Sequence, residues 1–277
     1  MLKRVITGTV AFFILLPILF LSDTIVFPIA VAVVLAICIY EMARCMGFER
    51  KIYITLPIYI FAIVSPFIIR YGLINFIPIA FAFVSFYLVY LFALIVWSKG
   101  ALSFGETMGL FSTLSYIIAA ILSIMYVRFF ADNGKYLYLL IFIGAWVTDI
   151  FAYFTGYLFG KHKLIEEVSP KKTIEGSIGG IVFCSLGFVL FGLAVEKFFE
   201  ADANILFLVI SGIIISIVSQ IGDLIMSVIK RHYKIKDYGK IFPGHGGMLD
   251  RFDSINLVAL VLAAICMIGD LIGTSLL

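Results

Sequence analysis

Three aspartates, four glycines and a set of lysines and arginines crowd into one stretch of this chain, from Ser227 to Asp253. Lys230, Arg231, Lys236 and Asp237 lead into Gly239 and the run Pro243-Gly244-His245-Gly246-Gly247, and then come Asp250, Arg251 and Asp253. Glycines at 244, 246 and 247 let backbone N–H groups converge on an anion. Asp250 and Asp253, three residues apart, share a face if they open a helix. Hard carboxylate oxygens with few nitrogen donors suit Mg2+, which keeps waters and binds substrate phosphates. Just upstream, Ser216, Ser219, Asp223, Ser227 and Lys230 recur at steps of three or four. They make a polar stripe on an apolar helix, and such a stripe faces a cavity or a partner rather than lipid.

A second polar stretch reads Ser169-Pro170-Lys171-Lys172-Thr173-Ile174-Glu175-Gly176. Ser169 and Thr173 are capping residue types ahead of an apolar run, whose helix N-terminus would then face anions. Lys171 and Lys172 add two point charges. Further upstream, Asp149, Tyr153, Gly156 and Gly160 fall at helical spacing inside another apolar run. Either the glycines there make a close helix contact with Asp149 bonded to a neighbour, or Asp149 is functional. Basic loops on their own need only greet anionic lipid. Carboxylates and glycines at the same depth call for more, and a polyphosphate bound through Mg2+ accounts for all three.

These residues sit in a chain of 277, of which 63% are hydrophobic and only 13% charged, with a mean hydropathy of +1.17. A single soluble core cannot absorb that much apolar surface. The composition excludes a soluble domain, a nucleic-acid module and a disordered protein. Charge-free or nearly charge-free runs cover 5–22, 24–40, 52–69, 71–98, 107–127, 136–160, 176–195, 203–222 and 254–277, each near the roughly 17–25 residues a spanning helix needs. The expected fold is an all-α polytopic membrane bundle of about nine helices, the first retained rather than cleaved. Sixteen of the 20 lysines and arginines fall on one side of this arrangement, leaving only Arg70, Arg128, Lys135 and Lys197 on the other. The positive-inside rule then places the N-terminus in the cytoplasm and the C-terminus outside. Residues 1–135 form a scaffold of about five spans. Residues 136–277 form a catalytic region of about four, with cytoplasmic loops 161–175 and 230–253. The four cysteines form no C-x-x-C pair and read as small buried hydrophobes.

The run S-x-x-K-R-x-x-x-x-K-D-x-G-x-x-x-P-G-H-G-G-x-x-D-R-x-D, filled from Ser227 to Asp253, resembles the C-terminal signature of phosphatidate cytidylyltransferases, also called CDP-diacylglycerol synthases. The upstream D-x-x-A-Y-x-x-G (Asp149 to Gly156) and S-P-K-K-T-x-E-G (Ser169 to Gly176) resemble that family too, so the likeness covers roughly 145–255. It implies an integral enzyme of the bacterial inner membrane, working at the cytoplasmic face. CTP and phosphatidate are its substrates and CDP-diacylglycerol and pyrophosphate its products, with Mg2+ required.

On this reading Asp223 and Asp250 hold Mg2+, with Asp149 and Asp253 behind them or on a second cation. Lys171 and Lys172 neutralise pyrophosphate or lipid phosphate. The Gly244–Gly247 segment and His245 cradle phosphate or nucleotide. Arg231 and Arg251 suit bidentate phosphate contacts, and Ser169, Thr173, Ser227, Lys236 and Asp237 complete the substrate-binding set. The apolar spans also leave room for a homodimer. A rival reading makes Asp149 and Asp223 a cation relay in a transporter. No internal repeat supports it, and the polar groups gather at one face. A CDP-alcohol phosphatidyltransferase would need a D-G-x-x-A-R pattern that is absent from the chain.

Overall fold

The computed structural model describes residues 2–72, 76–199 and 201–277; the side chains at 2–7, 11 and 12, Lys3 and Arg4 among them, lie outside the description. Long apolar runs become helices because only a helix or a closed barrel satisfies every backbone polar group away from water. The helices are α1 (Leu2–Phe20), α2 (Val26–Cys45), α3 (Ile52–Tyr71), α4 (Phe76–Trp97), α5 (Phe104–Phe130), the single turn α6 (Gly134–Leu137), α7 (Leu139–Phe159), α8 (Ile174–Phe199), α9 (Ile205–His232) and α10 (Leu249–Ile272). Among the described residues eight are long and apolar enough to cross a membrane, with α6 and α7 counted as one stretch, and α1 precedes them. Each expected apolar run falls on one of these helices. The large side chains left outward are those a bilayer would cover: on α4, Phe81, Phe86, Val96 and Trp97 are all exposed.

Two details depart from the sequence reading. The loop at 161–175 is not featureless: it folds as a two-stranded antiparallel hairpin, β1 (Lys163–Ile165) with β2 (Ser169–Thr173). Helix α9 also runs about ten residues beyond its apolar run, to His232. Lys230, Arg231 and His232 thus stand in its last turn, where cations complement the helix dipole. The connection expected over 230–253 shrinks to the residues between His232 and Leu249.

The chain divides into two compact units. One comprises Met1–Leu122 with Ile235–Arg251, and the other Ser123–Lys234 with Phe252–Leu277. In the first, α2 packs on α3 and α3 on α4, around buried Leu35, Cys38, Ile39, Met42, Ile54 and Ile58. The buried Tyr87 hydroxyl on α4 donates to the Ile54 carbonyl of α3 at 2.9 Å. In the second, α7, α8 and α9 pack together through small residues. A Cβ at Gly176 would stand 2.6 Å from the Ala152 carbonyl, and one at Gly212 would stand 2.6 Å from the Ser185 Cα. Close backbone approach of this kind drives helix association where no hydrophobic effect operates.

Candidate active site

In the second unit the hairpin delivers a lysine to α9. Along β2, Pro170 and Lys171 are exposed while Lys172 and Thr173 are half-buried. The Lys172 ammonium lies 2.8 Å from Asp223 Oδ2 and donates to the Gln220 carbonyl at 3.3 Å. Thr173 then closes the hairpin and starts α8: its Oγ1 accepts the Gly176 N–H at 3.1 Å, an N-cap as its residue type suggests. Ser169 does not cap; it pairs with Ile165 at the start of β2. The base of the hairpin is tied by Glu175, which meets His162 Nδ1 at 2.7 Å.

Three acids share this unit's polar region. Gly222 of α9 lies flush against α10, since a Cβ there would be 3.0 Å from the Asp253 carbonyl oxygen and 3.4 Å from the Ser254 Cα. That contact brings the backbone of α9 beside Asp223 close to the backbone of α10 at Asp253. Asp253 feels the charges of Asp223, Lys230 and Asp149, and Asp149 accepts a hydrogen bond from Ser254 Oγ at 3.4 Å. The other residues of the Asp149 stripe part company with it. Gly156 and Gly160 press on Thr173, and Tyr153 is 67% exposed.

On α9 the deeper serines are buried. Ser216 accepts from Thr148 Oγ1 at 3.0 Å, whereas Ser227 is half-buried and Arg231 exposed. Among the described residues no three His, Cys, Asp or Glu side chains gather closely enough to hold a metal ion. The carboxylate oxygens of Asp223 and Asp253 fit an ion that takes one or two protein ligands and fills its shell with water and phosphate, as Mg2+ does.

The first unit holds the glycine-rich segment, in which the N–H groups of His245 and Gly247 are already engaged. Phe242 and Gly246 bond to each other around a tight turn, with the Gly246 carbonyl accepting from Phe242 N–H at 2.9 Å. Gly244 and Gly246 have φ of +81° and +88°, a region open to glycine. Asp250, 4% exposed, accepts from Tyr238 N–H at 2.8 Å and Gly247 N–H at 2.9 Å, both through Oδ2. Glu41 of α2 accepts from Met248 N–H at 3.0 Å and Leu249 N–H at 2.8 Å.

The nest expected over 244–247 is therefore occupied at Gly247 by the chain's own carboxylate. His245 is half-buried, while Lys236, Asp237 and Arg251 are exposed. Asp250 belongs to this unit and Asp223 to the other. Sequence reasoning missed Glu41. The available signal was an acid in the last turns of an apolar helix, where the dipole disfavours it unless something answers the charge.

Comparison with known proteins agrees with the motifs. A phosphatidate cytidylyltransferase of Staphylococcus haemolyticus is 42% identical over 165 residues, which is 59% of this chain and 60% of that protein. One of Staphylococcus epidermidis is 41% identical over 163 residues, with the same two shares. One of Staphylococcus aureus is 46% identical over 127 residues, 46% of this chain and 47% of the relative. The chain thus spans about 60% or less of the length of these relatives. The cytidylyltransferase family as a whole matches residues 2–269, nearly end to end, and the chain belongs to that family.

Proposed function

We propose that the protein transfers a cytidylyl group from CTP to phosphatidate, giving CDP-diacylglycerol and pyrophosphate, at the cytoplasmic face of a bacterial membrane. The similar proteins are named for that reaction. The observation that carries the reading in this chain is the Lys172–Asp223 contact. It brings a cationic strand from one connection onto the polar stripe of α9 within an apolar bundle. A soluble polyanion and a membrane lipid can meet only at such a boundary. The uneven division of basic residues supports the cytoplasmic face.

Mg2+, held by Asp223 and Asp253, would supply positive charge to the CTP phosphates. The phosphatidate phosphate is already an anion, so its oxygen attacks the α-phosphorus of CTP without a strong general base. The new O–P bond forms as the bridge from the α- to the β-phosphorus breaks, and its electron pair leaves with pyrophosphate. Catalysis is then mostly positioning and charge neutralisation. Lys172 exchanges its carboxylate partner for phosphate oxygens as CTP arrives, and exposed Lys171 adds a second charge for the leaving group. Arg231, exposed at the end of α9, suits a bidentate grip on the lipid phosphate. Asp149, bonded to Ser254, stabilises the first turns of α10 behind Asp253. In the first unit, Lys236 and Arg251 add cationic groups toward solvent.

The test is an assay of the purified protein in detergent with CTP, phosphatidate and MgCl2. Pyrophosphate release that requires all three is the expected result. Absence of pyrophosphate from monodisperse protein would overturn the reading.

A further inference from the structure

Glu41 is 2% exposed, inside a helix that carries no recognised motif. Both of its carboxylate oxygens are engaged, Oε1 by Met248 N–H and Oε2 by Leu249 N–H. Those N–H groups open α10, where a helix leaves its first donors without internal partners. Such a cap ordinarily comes from the residue just before the helix. Here it arrives from 207 and 208 residues away. An anion at this end also meets the positive pole of the helix.

The loop is shaped around the same side chain. A Cβ at Gly239 or at Gly247 would collide with the Glu41 carboxylate, so two glycines of the motif are fitted to it. Asp250 ties the other side of the loop through Tyr238 and Gly247. Packing alone would be met by a leucine at position 41, and burying a carboxylate is costly unless it is hydrogen-bonded.

We propose that Glu41 is a positioning residue. It clamps the N–H groups of 248 and 249 and so fixes the first turn of α10, holding Asp250 and Arg251 in their working orientation. The activity part of this inference rests on the proposed cytidylyl transfer; the clamp itself does not.

Full-length wild type, Glu41→Gln and Glu41→Asp in detergent are compared by amide hydrogen exchange over 238–250. The same samples are assayed kinetically with CTP, phosphatidate and Mg2+. Glu41→Gln keeps the shape but turns an N–H donor toward one of the two amides. It should speed exchange at 248 and 249 at least tenfold and cut kcat at least tenfold, with KM for CTP within about threefold. Glu41→Asp, shorter but still an anion, should recover part of kcat and part of the protection, and it serves as the readout if the glutamine variant fails to fold. Unchanged exchange in the folded variants overturns the clamp. Faster exchange with wild-type kcat overturns the positioning role. If wild type itself gives no CTP-dependent turnover, the functional reading falls while the exchange arm still decides whether Glu41 holds the loop.

Discussion

The hairpin region and the glycine-rich loop are both short and basic, yet the carboxylates they meet are answered differently. Asp223 is met by a lysine side chain that is itself part-exposed. Asp250 and Glu41 are met by backbone N–H groups of a tight loop. A lysine can swing to a phosphate when a ligand arrives, but a backbone amide at the start of a helix cannot. An acid paired with a mobile cation can trade that partner for a ligand, whereas an acid paired with backbone is held in one place. Basic residues mark both stretches, and the partner of each carboxylate tells the two uses apart.

Substitutions can break this contrast. The largest effect is expected at the first pair: Asp223→Asn or Asp253→Asn should lower turnover by about 10²–10³, the scale of losing one group that stabilises developing charge. The melting temperature should stay close to wild type. Steady-state kinetics beside a thermal melt checks both halves. Next comes Asp250→Ala, which removes the one oxygen that accepts the Tyr238 and Gly247 N–H groups. It should cost about 1–3 kcal/mol, the range for leaving a buried donor unsatisfied, and be read as a lowered melting temperature with turnover falling alongside. A melt that does not move would put Asp250 with Asp223 rather than with Glu41. The smallest effect on stability is expected for Lys172→Met. Its pair is about a quarter exposed on each side, so the change should stay within about 1 kcal/mol. KM for CTP should nonetheless rise about tenfold, because the charge itself is missing.

Much of the scaffold was legible, because apolar runs of spanning length leave few alternatives to helix. The position of Asp223 on a polar stripe and the capping role of Thr173 also followed from spacing. Other features depend on partners distant in the chain. The strand pairing of Ser169 with Ile165 rests on a turn through Glu166, Glu167 and Val168, three residues with no strong turn preference. The reach of α9 to His232 was hidden because the charge-free run stops at Asp223 while apolar residues and the helix continue. The glycines of 244–247 promised an anion nest, and at Gly247 the anion turned out to be the protein's own Asp250. Glu41 could not be placed because its partners are more than two hundred residues away.

The central claim is that Asp223, beside Asp253 and within reach of Lys172, seats the divalent ion that accompanies the nucleotide. Binding of Mn2+ as a stand-in for Mg2+, followed by electron paramagnetic resonance on purified protein with CTP, tests it most directly. Wild type should retain protein-bound Mn2+, and Asp223→Asn, folded and monodisperse, should lose it. Equal Mn2+ affinity in the two proteins would contradict the account.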